Sequence, residues 1–153
     1  MGFVPDELVE GAEVMVMAQN PGEYEERGER VTGMAWSGRR RAWLSEPNPR
    51  GPAPLIGPTG WEMEREFLPL AQRERGAISS ANVLKCRQVV NGRRVNDLPT
   101  GKRLAQAVAQ CMGAHLQIPE SVRVIVAMGA LAAEAMGCPG KVSAWRGFTW
   151  KRG

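Results

Sequence analysis

One apolar segment that ends in a tight turn constrains the fold of this chain most strongly. Val14–Ala18 is entirely apolar, and Gln19-Asn20-Pro21-Gly22 and several acidic residues follow it. A short apolar run bounded by turn residues is typical of a buried strand. In open α/β sheets, ligands bind beyond the carboxyl ends of the strands, so this turn is a candidate binding site. An ordinary strand-to-loop turn is the alternative interpretation.

Apolar runs and helical stripes alternate along the rest of the chain. They predict strands at about 78–84 and 122–128, and helices at about 61–73, 101–116 and 130–136. Such alternation favours a parallel sheet with right-handed crossovers and helices on both faces. We therefore predict an α/β fold, a three-layer αβα sandwich on a short sheet of three parallel strands. The third strand is almost wholly apolar, which predicts that it is buried.

A long segment at 19–58 separates the first strand from the first helix and shows little periodicity, which predicts a loop. It contains an arginine-rich insertion at about 27–53, where Arg39, Arg40 and Arg41 lie between Trp36 and Trp43. Basic residues interleaved with aromatic ones suit single-stranded or deformed nucleic acid. A solvated insertion whose tryptophans pack against the core is the equally weighted alternative. Near the end of the sequence, Lys151 and Arg152 add further positive charge.

Length and composition predict a single domain over 1–153. The net charge of +4 and the pI of about 9.3 permit a polyanionic partner without requiring one. No apolar run is long enough for a membrane helix, and the first residues do not resemble a signal peptide. Three dispersed cysteines favour reduced thiols. We therefore expect a cytoplasmic protein with no membrane partner.

Three motifs occur in an informative order: QNPGEYE at 19–25, PLIGPTG at 54–60 and NVLKCR at 82–87. Together they resemble motifs of the uracil-DNA glycosylase superfamily, most closely its iron–sulfur type from thermophiles. The resemblance implies a base-excision DNA repair enzyme that hydrolyses the N-glycosidic bond of uracil. Such an enzyme flips the base out of the DNA stack and holds it in a pocket. The implied partner is DNA that is single-stranded or contains uracil.

The resemblance also implies roles for individual residues. Asn82 reads the Watson–Crick edge of the base, while Gln19 and nearby backbone, including that of Gly22, line the pocket at a base oxygen. Glu25 crowds the C5 position and so rejects thymine. Asn20 matches a Gly-x-Asn-Pro-Gly motif of related branches, in which the asparagine positions the attacking water. A turn asparagine that bonds its own backbone is the alternative for that position.

The sequence departs from the family pattern at three places. Leu55 replaces the aromatic side chain that stacks on the base, an interaction worth about 1–3 kcal/mol. Cys86 and Cys111 match two cluster ligands, but the other two cysteines are absent, so we expect no cofactor and vestigial thiols. The family's final strand and His-Pro-Ser segment do not occur in the 153 residues. The only histidine, His115, falls within a predicted helix.

Two functional hypotheses follow. The first is a uracil-DNA glycosylase, weak on its own or completed by a protein partner that supplies the missing strand. The second is a catalytically degenerate DNA-binding or assembly subunit of a replication or repair complex. Asn20, Glu25 and Asn82 favour the enzyme, whereas Leu55 and the missing histidine favour the subunit.

Overall fold

The structure is a computed structural model and describes residues 2–138. Seven strands and several helices occur in these residues. In chain order they are β1 (Val14–Ala18), α1 (Glu23–Arg27), β2 (Glu29–Ser37), β3 (Arg40–Pro47), α2 (Pro58–Glu62), a π-helical turn (Met63–Phe67), α3 (Leu68–Leu70), a 3₁₀ turn (Arg75–Ala77), β4 (Ile78–Asn82), β5 (Gln88–Val90), β6 (Arg93–Val95), α4 (Gly101–His115), β7 (Val124–Ala127) and α5 (Ala130–Ala135).

A parallel sheet in the order β4-β1-β7 forms the centre of the fold. β1 is the middle strand, and its three central residues are completely buried. The predicted parallel sheet is therefore confirmed. The prediction that the third strand is buried is wrong, because Val124 is 53% exposed and the other residues of β7 are only partly buried. Within residues 2–138, β7 has a sheet neighbour on one side only.

Helices cover both faces of this sheet. Alternate side chains of β1 point in opposite directions, so Met15 and Met17 belong to a core cluster with residues of α4 and α5. Val16 belongs to a second cluster on the other face, with Met63 and Leu68. The three-layer α/β architecture predicted from the sequence is confirmed.

Residues 19–58 differ from the predicted loop. They contain the short helix α1 and the antiparallel β2–β3 hairpin, which closes through Gly38 at a φ of +61°. Within β2, only Val31 is fully buried, so an exposed hairpin lacks the apolar alternation that reveals a half-buried strand. A second small hairpin, β5–β6, follows β4 and turns at Asn91-Gly92. Both of these residues have positive φ, as an Asn-Gly hairpin turn requires.

The helix expected at 61–73 begins earlier and ends earlier. Gly57 is its N-cap and Pro58 its first residue. Pro69 lies in the last turn, where its missing N–H ends regular bonding. α4 and α5 each end one residue before the predicted boundary, at His115 and Ala135.

The residues before β1 attach to the outer edge of β4. Backbone groups of Glu7 and Ser80 exchange two hydrogen bonds in an antiparallel bridge. Next to it, the buried ammonium group of Lys85 donates to Asp6 and to the Asn82 carbonyl oxygen. Burial raises the pKa of Asp6, and the bond from Lys85 opposes that rise. An ion pair therefore fixes the end of β4.

Gly60→Ala should destabilise the protein by about 1–3 kcal/mol or more, because α2 crosses the Leu55 backbone there. A Cβ atom at position 60 would lie 1.6 Å from the Leu55 carbonyl oxygen. Gly113→Ala in α4 is the matched control, since a Cβ there meets no atom within 4 Å, and it should stabilise by about 0.5–1 kcal/mol. Urea unfolding measures both. Equal stability changes would contradict this packing.

Candidate functional site

A cleft lies at the carboxyl edge of the sheet, where the first two sequence motifs meet. Its volume is about 430 Å³. A smaller cavity of about 190 Å³ shares four of its lining residues. The cleft is lined by the turn and first half of α1, by the loop into α2 and by two hairpin segments: Asn20–Glu25, Trp43, Leu55, Gly57–Gly60 and Asn96.

Asn20 lines both cavities. Its Nδ2 atom donates to the carbonyl oxygen of Asn96, at 2.8 Å, so the amide is oriented by the segment that follows β6. The Oδ1 atom is then the remaining polar atom of the amide. An oxygen held at a cavity wall in this way can accept a hydrogen bond from a water molecule.

Gln19 is held by α5. Its Oε1 atom accepts a hydrogen bond of 3.0 Å from the Leu131 N–H, in the first turn of α5. The side chain also packs over Gly129, where a Cβ atom would lie 2.6 Å from the Gln19 Cδ atom. Gln19 lines the smaller cavity, but its amide oxygen is committed to the helix.

Glu25 binds the three motifs together. Its carboxylate accepts hydrogen bonds of 2.5 Å from the backbone N–H groups of Gly22 and Leu55, and one of 3.4 Å from Asn82 Nδ2. The bond from the Gly22 N–H to Glu25 is half of a capping box. The other half is absent, because glycine has no side chain that could accept a bond from the Glu25 N–H. Burial raises the pKa of Glu25, and the N–H donors oppose that rise. The resemblance assigns this carboxylate to base selection, and in the structure it also holds three segments of the chain together.

Asn82 lies behind Glu25. It is the last residue of β4, level with Ala18 of β1, and so shares the sheet edge with Asn20. Its side chain is completely buried and lines neither cavity, whereas Glu25 lines both. Among residues 2–138, no group donates a hydrogen bond to Asn82 Oδ1. A base in the cleft would therefore meet Glu25 before it reached Asn82.

Leu55 occupies a strained position. Its φ is +56°, which is uncommon for a residue with a Cβ atom, and only 3% of the residue is exposed. Arg75 donates to the carbonyl oxygens of Leu55 at 2.8 Å and Pro54 at 2.5 Å. With Glu25 accepting from the Leu55 N–H, this peptide is fixed on both sides, which is how strain persists at functional sites.

Cys86 and Cys111 line a different cavity of about 290 Å³, together with His115. Burial raises the pKa of the Cys86 thiol, and the neighbouring Cys111 raises it further. The residues do not fit the family's cluster, which needs four cysteine ligands. The whole chain has three cysteines, and residues 2–138 bring together no group of three or more metal-binding side chains. His115 does not line the cleft and contacts Phe3 instead.

The basic residues predicted to bind DNA divide into two groups. Arg39, Arg40 and Arg41 are exposed at the closed end of the β2–β3 hairpin. Lys151 and Arg152 lie outside the described residues. The structure adds Trp43, Thr59 and Asn96 to the cleft, and sequence reasoning had not assigned any of them to it. Of these three residues, only Trp43 could have been found from the sequence, because it lies close to the arginines of the insertion.

Comparison with protein-family models finds none that matches this chain, and comparison with curated proteins finds no match either. The resemblance to uracil-DNA glycosylases therefore rests on the three motifs themselves. In residues 2–138, no helix is both long enough and apolar enough to span a membrane.

Glu25→Gln should lower the free energy of unfolding by about 1–3 kcal/mol. A glutamine has one acceptor oxygen, so it leaves the N–H of Gly22 or Leu55 facing its own NH₂ group. Glu23→Gln is the control in the same helix, because that side chain is 52% exposed and should change stability by less than about 0.5 kcal/mol. Urea unfolding compares them. If both variants matched the wild type, the fastening role of Glu25 would be refuted.

Proposed function

We propose that this chain is a uracil-DNA-glycosylase-like protein that binds DNA and hydrolyses the N-glycosidic bond of uracil. The supporting observation is the meeting of the first two motifs around one cleft, at the ligand-binding edge of a parallel sheet, with the third motif directly behind it. Motifs separated by tens of residues converge there through Glu25.

The proposed chemistry needs an extruded base and a water molecule beside C1′ of the sugar. We assign the water to the Asn20 Oδ1 atom, because the hydrogen bond to Asn96 holds the amide at the cavity wall. Glu25 lines both cavities, and by the resemblance it would crowd C5 of the base. Charge that develops on the leaving uracil needs donors, and electrostatic stabilisation of this kind is usually the largest catalytic contribution.

The second candidate is a DNA-binding or assembly subunit that has lost catalysis. Asn82 favours it, since the proposed base-reading side chain is sealed behind Glu25. Leu55 favours it as well, because its side chain packs in the core with Val16 and Met63. For such a subunit, the role of a protein partner would be to form an assembly with it, not to supply the missing strand of an active site.

We also propose that the protein acts in the cytoplasm. Cys86, Cys111 and Cys138 are all free thiols, which persist in reducing compartments.

The 153-residue chain should excise uracil slowly or not at all, and any excision should depend on Asn20. Lacking the His-Pro-Ser segment, it has no leaving-group histidine, and one such donor is worth about 10²–10³ in rate. Asn20→Ala should abolish the remaining activity. Ser37→Ala, an exposed substitution in the hairpin, should leave it unchanged. A single-turnover assay on single-stranded uracil DNA, read by alkaline cleavage of abasic sites, measures this.

Two results of that assay would contradict this expectation. Fast excision by the wild-type chain would show that the missing segment is not needed. Slow excision that persists unchanged in Asn20→Ala would show that the turn is structural, and would favour the DNA-binding subunit.

We propose that the family's cluster has been lost, and so expect the purified chain to hold no iron. Three cysteines cannot supply four thiolate ligands. Metal analysis and visible absorption after anaerobic purification are the measurements. A brown protein with stoichiometric iron and sulfide would contradict this expectation and indicate ligands from another chain.

A further inference from the structure

The β2–β3 hairpin presents one continuous aromatic and basic face. Trp36 pairs with Arg41 across the strands, and Met34 pairs with Trp43. Directly paired residues share a face, and so do residues two apart along a strand. Trp36, Arg41 and Trp43 therefore point to the same side of the hairpin.

The inner end of this face rests on α2. The rings of Trp43 and Trp61 meet edge to face with centroids 5.6 Å apart, and the Arg65 guanidinium lies 4.3 Å from the Trp61 ring centroid. Arg41 lies over the Trp43 ring and pairs with Glu62 at 3.2 Å. These contacts fix the hairpin against the body of the protein.

The two ends of the face have different surroundings. Trp43 lines the candidate cleft beside Leu55. Trp36 lies near the closed end, is 65% exposed, and has the exposed Arg39 close by in the turn. We call the four residues Trp36, Arg39, Arg41 and Trp43 the hairpin strip. It runs from the cleft to the hairpin turn.

We propose that the hairpin strip binds single-stranded DNA and leads it into the cleft. Trp43 supplies a base-stacking surface beside the position where Leu55 replaces the family's aromatic, and Trp36 stacks on a neighbouring base. The arginines neutralise phosphates. The proposal rests on the proposed function and adds the path by which the strand reaches the site.

The chemistry of the strip favours unpaired DNA over other partners. Indole rings stack on any base whose face is free, which a paired duplex does not offer. The two arginines of the strip, Arg39 and Arg41, attract a polyanion, and a guanidinium beside an indole adds cation–π attraction. An exposed tryptophan held by a rigid hairpin loses little entropy when it stacks.

The test measures affinity of the full 153-residue chain for a fluorescein-labelled oligothymidine without uracil, by fluorescence anisotropy. Trp36→Ala should weaken binding roughly 5- to 150-fold, the range expected for one stacked base. Trp36→Phe should retain most of the affinity, since it keeps a stacking ring. Leu44→Ala is the matched control: Leu44 is 55% exposed, in the paired strand, and points to the opposite face.

The charged part of the strip is tested by salt dependence. Arg39→Ala should reduce the slope of log affinity against log salt by about 0.7. Arg123→Ala removes another exposed cation, next to β7, and should leave the slope unchanged. Circular dichroism confirms that each variant is folded.

The outcomes separate this inference from the proposed function. If Trp36→Ala binds oligothymidine as tightly as Leu44→Ala, or if duplex DNA of equal length binds as tightly as the single strand, the strip proposal is overturned. If the wild type still excises uracil in that case, only the strip proposal fails and the proposed function stands. If Trp36→Ala loses affinity while slow excision persists unchanged in Asn20→Ala, the strip is supported and the enzymatic proposal fails.

Discussion

A single buried carboxylate joins the parts of this protein on which the candidate site depends. Glu25 reaches from α1 to the backbone of the Asn-Pro-Gly turn, to the loop before α2 and to the end of β4. The turn, the loop before α2 and the end of β4 are separated from one another by 25 or more residues of sequence, and the carboxylate connects all of them. Two short bonds from backbone N–H groups offset part of the desolvation that raises its pKa. Without this acceptor, both N–H groups would be left unsatisfied.

The sequence predicted the layers better than it predicted the surface. β1 is short, apolar and buried, β4 is buried throughout, and α4 carries the apolar stripe that the core requires. The β2–β3 hairpin was missed because it is mostly exposed and its pairing depends on contacts such as Trp43 with Trp61. Such contacts join residues far apart in the chain and leave no local period.

The sequence predicted where the candidate site lies, but not how its side chains are arranged. Strand ends in a parallel sheet converge, and this alone puts Asn20 and Asn82 at one edge. Nothing in the sequence shows that Glu25 covers Asn82, that Gln19 caps α5, or that Leu55 adopts positive φ under the hold of Arg75. Each of these depends on hydrogen bonds between segments whose distance in space is set by the completed fold.

The position of Asn82 connects stability with the proposed function. Its buried Oδ1 accepts no hydrogen bond from the described residues, and such a group costs about 1–3 kcal/mol. Of the bonds that Glu25 accepts, the one from Asn82 is the longest, at 3.4 Å, and therefore the weakest. The two backbone bonds can hold the turn and loop in place while Asn82 separates from the carboxylate. In the proposed function, a base edge with an N–H donor would satisfy Oδ1, so binding would recover the free energy that the unbound protein loses at this atom.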